Sequence, residues 1–198
     1  MLAIYKKEVK SYLTSMVGYV FMAFILLILG IYFTAYNLNY ATPDFGTTLS
    51  SVTFIFLIIT PVLTMRILAE EKKNKTDQLL FTSPVSVWKI VLGKYLGMVT
   101  IYAIPVVVAA FYPLIMGKYG TVSYPMAYTA VIGFFFLGCA DIAVGLFLSS
   151  VTESQVIAAV LTFGVLFCSY VMNGIESFFS QTAVSSMLAF VVIALIIA

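Results

Sequence analysis

Few residues in this chain are of a type that can make or break bonds. It has no His and two Cys, Cys139 and Cys168, and both Cys fall inside apolar segments, where a thiol is ordinarily a small packing group. Zinc chemistry and a disulfide framework therefore lack ligands, and no metal or other cofactor is expected. A phosphate-cradling G-x-x-x-x-G-K-[ST] loop is missing too: Gly93-Lys94 is followed by Tyr95 and has no earlier glycine in register, so the chain is not expected to bind ATP itself. Neither a nucleophile elbow nor a pair of carboxylates at catalytic spacing occurs, and the expectation is a protein that is not an enzyme.

Two places remain. Asp141, in LGCADIAVG, is an ionisable residue inside a long apolar run. A charge at the centre of a bilayer costs about 2.5 to 3.5 kcal/mol on insertion scales, so Asp141 must face the bundle, a water-filled cavity or a dimer interface. It can serve a proton relay or a helix-to-helix hydrogen bond, and its lack of a charged intramembrane partner favours the hydrogen bond. The second place is residues 66–94, RILAEEKKNKTDQLLFTSPVSVWKIVLGK, which hold nine of the eighteen charges. Residues 45–65 before it and 95–117 after it carry none, so it reads as a water-exposed loop between two membrane spans.

Within that loop, Glu70 and Glu71 sit about one turn past the preceding span. Thr76 is placed to cap a short helix, and Asp77 in its first turn suits the positive end of the helix dipole. Leu79, Leu80 and Phe81 give the helix an apolar surface, and Pro84 stops it, because the residue before a proline avoids helical angles. Two turns of helix, about 10 Å, are not stable alone. They need a surface to pack on, either the protein's own bundle or another protein. Asn74-Lys75-Thr76 matches a glycosylation sequon by chance, on the wrong side of the membrane for that modification.

The elements that must position this loop follow from hydropathy. With 63% hydrophobic residues, 9% charged and a mean hydropathy of +1.11, the chain lies far from soluble composition, where about a quarter of residues are charged. An all-α integral membrane protein is expected, in a single membrane domain. A net charge of +2 with cations gathered beside apolar runs excludes a nucleic-acid interface. Residues 2–13 pattern as an interfacial helix, with Leu2, Tyr5, Val9, Tyr12 and Leu13 on one face and Lys6, Lys7 and Lys10 among anionic lipid headgroups on the other. Full spans are expected at 16–36, 51–68, 90–116, 125–148 and 156–172. Pro61, Pro105 and Pro113 are kink points, and Gly93 and Gly97 form a G-x-x-x-G face open to close helix contact. The run 187–198 is too short to cross a bilayer, so it reads as an incomplete sixth span and the sequence as truncated. The first apolar run exceeds 20 residues and lacks a cleavage site, so it is expected to stay as an anchor.

Nine of the ten Lys and Arg fall at the amino terminus or in residues 66–94, and Lys118 falls on the opposite side. The positive-inside rule then places the amino terminus and the central loop in the cytoplasm, with 37–50, 117–124 and 173–186 outside.

The run RILAEEKKNKTDQLLFTSPVSVWKIVLGKYLG, with its acidic pair, basic residues, Thr-x-x-Leu-Leu, Ser-Pro-Val and Gly-Lys, resembles the segment after the second span in permease subunits of type-2 ABC transporters. It is most similar to the gliding-motility-type permeases, as is the turn LSSVTESQVIAAVLTF. The resemblance implies a permease dimer, homomeric or heteromeric, that exports substrate through the cytoplasmic membrane using ATP bound and hydrolysed by a separate ATPase subunit. It further implies that residues 70–89 form a coupling region, with Glu70 and Glu71 at the end of span 2 and Thr76, Leu79 and Leu80 in a coupling helix closed by Pro84. A secondary transporter or channel is the alternative, supported by Asp141 and the intramembrane prolines.

Overall fold

The computed structural model describes residues 2–40, 42–65, 67, 69, 86–118 and 122–176, without the side chains of Ala3 and of 173–176. Among them every regular element is helical. In chain order these are α1 (Leu2–Thr14), α2 (Met16–Tyr32) continuing into a π-helical segment (Phe33–Asn39), α3 (Phe45–Thr64), α4 (Val87–Ala109), the short α5 (Tyr112–Met116), α6 (Tyr124–Val151) and α7 (Gln155–Glu176). The fold is all-α, and five stretches are long and apolar enough to cross a membrane: Met16–Asn39, Phe45–Thr64, Val87–Met116, Tyr124–Val151 and Gln155–Met172. The expected partial span at 187–198 lies outside the described residues.

Two compact units divide the chain, Met1–Phe163 and Gly164–Ala198, with the boundary inside α7. In the first unit the core runs along the facing sides of α2, α3, α4 and α6. At its middle Phe56 of α3 meets Tyr102 of α4 with ring centroids 5.0 Å apart, and Phe134 of α6 at 5.5 Å. The Tyr102 hydroxyl donates to the Phe134 carbonyl at 2.7 Å, which satisfies a buried phenol that would otherwise cost about 1 to 3 kcal/mol. Of the second unit, residues 164–176 are described, all of them helical.

Helix ends depart from the hydropathy reading where side chains outbid composition. The second span begins at Phe45, six residues before Ser51, because Asp44 in an extended conformation accepts the Gly46 N–H at 2.8 Å and so caps α3. The preceding helix continues past residue 36 because it widens into the π-helical segment, which turns Asn37 inward. There the Asn37 amide donates to the Thr42 and Asp44 carbonyls at 2.9 and 3.3 Å, and its oxygen accepts from Thr48 at 2.6 Å. The polar residues read as a loop are thus spent joining two helices, and the connection shrinks to a few residues.

The prolines act unequally. Pro61 and Pro105 are accommodated inside α3 and α4. Near Pro113 the helix breaks at Ala110 and Phe111, and Pro113 sits at the second position of α5, where a missing N–H has no helical acceptor to lose.

Candidate functional site

The site is the end of α3 from which the charged segment departs. A helix leaves its last four carbonyls without intrahelical donors, and here α3 stops at Thr64, with Met65 and Ile67 in turns beyond it and Ala69 helical again. Three other helices supply the missing partners. From α1, the Tyr12 hydroxyl donates to the Leu63 carbonyl at 3.0 Å, in a buried setting. From α6, the Ser149 hydroxyl donates to the Met65 carbonyl at 3.4 Å and accepts the Ala69 N–H at 3.2 Å. From α4, the Lys94 ammonium reaches the Ile67 carbonyl at 3.5 Å. The root of the charged segment is therefore gripped by α1, α4 and α6 at once.

Lys94 is the centre of that grip. It is 1% exposed, and its ammonium donates to Glu8 Oε1 of α1 at 3.2 Å, forming an ion pair whose two side chains are 1% and 11% exposed. Charges removed from water in this way need a partner at short range, since an unpaired one costs several kcal/mol. The pair is reached because Gly97, one turn further along α4, leaves no side chain in the way: a Cβ there would lie 2.9 Å from the Glu8 Cβ. Beyond it, the Tyr5 hydroxyl meets the Thr100 hydroxyl at 3.0 Å. The glycine face of α4 thus receives the amino-terminal helix.

Two expectations change here. Lys94, read as the last charge of a water-exposed loop, is buried, because Glu8 and the Ile67 carbonyl replace its water. The docked face of α1 is Tyr5, Glu8, Val9 and Tyr12, while Leu2 and Leu13 of the expected apolar face are exposed, at 68% and 37%. Glu8 went unnoticed beside its lysine neighbours. Its position three residues after Tyr5 and four before Tyr12 puts it on the tyrosine face of a helix, and that was the available signal.

The α1–α2 connection is correspondingly tight. Ser15, extended at φ −86° and ψ 141°, accepts the Val17 N–H at 3.2 Å. At Gly18 any side chain would run into the Tyr12 carbonyl. The coupling-region residues Glu70, Glu71, Thr76, Leu79, Leu80 and Pro84 lie outside the described residues, so the structure places their root and their far flank at Ser86, where α4 begins.

Asp141 lies half-buried on α6, one turn before Gly145. It makes no hydrogen bond or ion pair with any described residue, so the expected helix-to-helix hydrogen bond is not formed among them. The Thr64 side chain lies against Gly145, and Thr60 and Asp141 each stand four residues from that contact on helices running in the same direction. The Thr60 hydroxyl is buried without a hydrogen-bond partner. Thr60 and Asp141 thus stand at one level of α3 and α6, about one turn from the gripped root. Asp141→Asn keeps size and hydrogen-bonding capacity and is expected to leave membrane abundance and transport near the native level, while Asp141→Leu weakens assembly. Loss of transport by the Asn variant at unchanged abundance would assign Asp141 a proton-carrying role.

At the opposite end of the α3–α6 seam an open cleft of about 640 Å³ runs between Thr47, Ser50 and Thr53 of α3 and Met126, Ala130 and Leu137 of α6. Among the described residues no group of His, Cys, Asp and Glu is arranged to hold a metal ion.

Comparison with known proteins gives one finding that covers most of the chain: the family described as "ABC-2 family transporter protein" matches residues 33–197. No curated protein and no solved structure matches.

Proposed function

This chain belongs to the ABC-2 family of transporter proteins and is a multi-pass membrane permease of an ABC transporter; on that premise we propose that it is an exporter subunit driven by ATP hydrolysed on a separate ATPase subunit. Family membership sets aside the secondary-transporter alternative. The permease works as a dimer in the cytoplasmic membrane, most similar by its 66–97 motif to gliding-motility-type permeases, with its amino terminus and residues 70–89 in the cytoplasm. Glu70, Glu71, Thr76, Leu79, Leu80 and Pro84 form the surface that meets the ATPase.

The observation that carries this reading is the gripped root. A coupling helix on a slack loop would absorb the ATPase stroke as loop motion. Here the chain entering that helix is bonded at Leu63, Met65, Ile67 and Ala69 to α1, α4 and α6. A displacement of a few ångströms at the coupling helix is then passed to three helices together, as rigid-body motion. Along α3 and α6 it would reach the cleft at the far end, which opens on the side assigned to the exterior.

An ATPase in the cytoplasm requires residue 74 to face it, which fixes an experiment. Single cysteines placed at Asn39 and Ser123, in a chain with Cys139 and Cys168 replaced by Ser, are expected to react with an impermeant thiol reagent in intact cells. A cysteine at Asn74 should react only after permeabilisation. Reaction at Asn74 in intact cells contradicts the orientation and, with it, ATPase docking at this loop.

A further inference from the structure

We propose that the elbow between α1 and α2 binds one anionic phospholipid, with its headgroup on the exposed lysines of α1 and an acyl chain in the groove between α2 and α3. Two separate features meet at this elbow. On α1, Lys6, Lys7 and Lys10 are all exposed, and the helix's single acidic residue, Glu8, is turned inward onto Lys94. The charge left on the outer face of α1 is all positive, which attracts anionic headgroups. Directly after the elbow, Met16, Val20 and Phe24 of α2 and Ile58 and Val62 of α3 line an open groove of about 390 Å³ whose walls are wholly apolar.

The groove has the dimensions and direction of a lipid tail. From Met16 to Phe24 it follows α2 for about 12 Å, most of the roughly 15 Å of hydrocarbon that one leaflet contributes. Its lining begins at Met16, the first residue of α2, and on α3 ends at Val62, beside the Leu63 carbonyl that Tyr12 holds. A basic face and an apolar groove leading away from it match the two halves of one amphiphile. A docked protein segment would have to supply both acidic and apolar groups around the same bend.

Occupancy has a consequence for the permease, and this part rests on the transporter reading. The helix that carries the lysines also carries Glu8 and Tyr12, which hold Lys94 and the Leu63 carbonyl. A lipid seated at the elbow pins α1 in place and so stiffens the root of the coupling region.

The test reads lipid mass on the purified full-length chain by native mass spectrometry, and so is independent of ATPase capture. Detergent-solubilised protein is titrated with phosphatidylglycerol or with phosphatidylcholine of the same acyl chains. The native chain is expected to retain phosphatidylglycerol at a roughly tenfold lower concentration. Lys6→Gln, Lys7→Gln and Lys10→Gln together should bring phosphatidylglycerol down to the phosphatidylcholine level, and the corresponding three Arg substitutions should preserve the preference. Val20→Trp, at a half-exposed wall position, fills the groove and should reduce retention of both lipids. Equal retention of the two lipids by the native chain overturns the proposal, as does a preference that survives the Gln substitutions or undiminished retention of both lipids by Val20→Trp. A chain that carries no lipid but loses its dimer mass on Val20→Trp also overturns it, and assigns the groove to a second copy of the permease.

Discussion

Glu8→Gln alone is expected to lower the unfolding temperature of the solubilised permease by on the order of 10 °C, corresponding to a loss of about 3 to 5 kcal/mol. The cause is the Lys94 ammonium, which is 1% exposed and would keep its charge while losing the carboxylate 3.2 Å away. Lys94→Met alone is expected to cost less, because Glu8 lies nearer the surface at 11% exposure and can regain some water. Glu8→Gln combined with Lys94→Met removes both charges and should recover most of the stability of the native chain, since an apolar pair of similar volume often equals a buried ion pair. If the single and double variants unfold together, Glu8 and Lys94 are not coupled and the grip on the root does not depend on them. Because Tyr12 shares a helix with Glu8, the single variant should also loosen the Tyr12–Leu63 bond, seen as faster hydrogen exchange around residues 63–69.

How far the sequence could be read depended on whether a feature was local. Five apolar stretches, their separation by polar turns and the all-helical class are local properties of composition, and each was legible. So was the family, through the 66–97 motif, which the match over residues 33–197 supports. Partners far apart were not. Glu8 and Lys94 are 86 positions apart, and Tyr12 and Leu63 are 51 apart. Periodicity assigns a residue to a face without naming what the face meets. The Gly93 and Gly97 pattern told of a close approach, yet it could not tell that the approaching element is the amino-terminal helix. The loop at 37–50 was misjudged in extent for a related reason: Asn37, Asp44 and Thr48 are polar and look solvated, and only their mutual hydrogen bonds turn them into a helix junction. The coupling residues themselves were read from their own chemistry and their resemblance, and they lie beyond the described residues.

ATPase capture by Leu79 and Leu80 is where the account is most exposed. A two-turn helix on a water-facing loop that presents Leu79, Leu80 and Phe81 gains its stability from what covers it, and burying one Leu contributes about 1.5 to 3 kcal/mol. Replacing both leucines by Asp removes that contribution twice and places two charges in the interface. The ATPase should then dissociate on the order of a hundredfold more readily or worse. The permease should still insert and fold, because Tyr12, Lys94 and Ser149 hold the root at Leu63, Met65, Ile67 and Ala69, ahead of the substituted leucines. The deciding measurement is copurification of the ATPase subunit with the tagged permease from detergent, comparing Leu79→Asp/Leu80→Asp with a Thr47→Ala control at the far end. The account predicts full permease yield from both, with the ATPase retained by the control and lost from the double variant. Undiminished ATPase in the double variant would contradict docking at this helix, and equal loss of the permease itself would show that the helix packs on its own bundle.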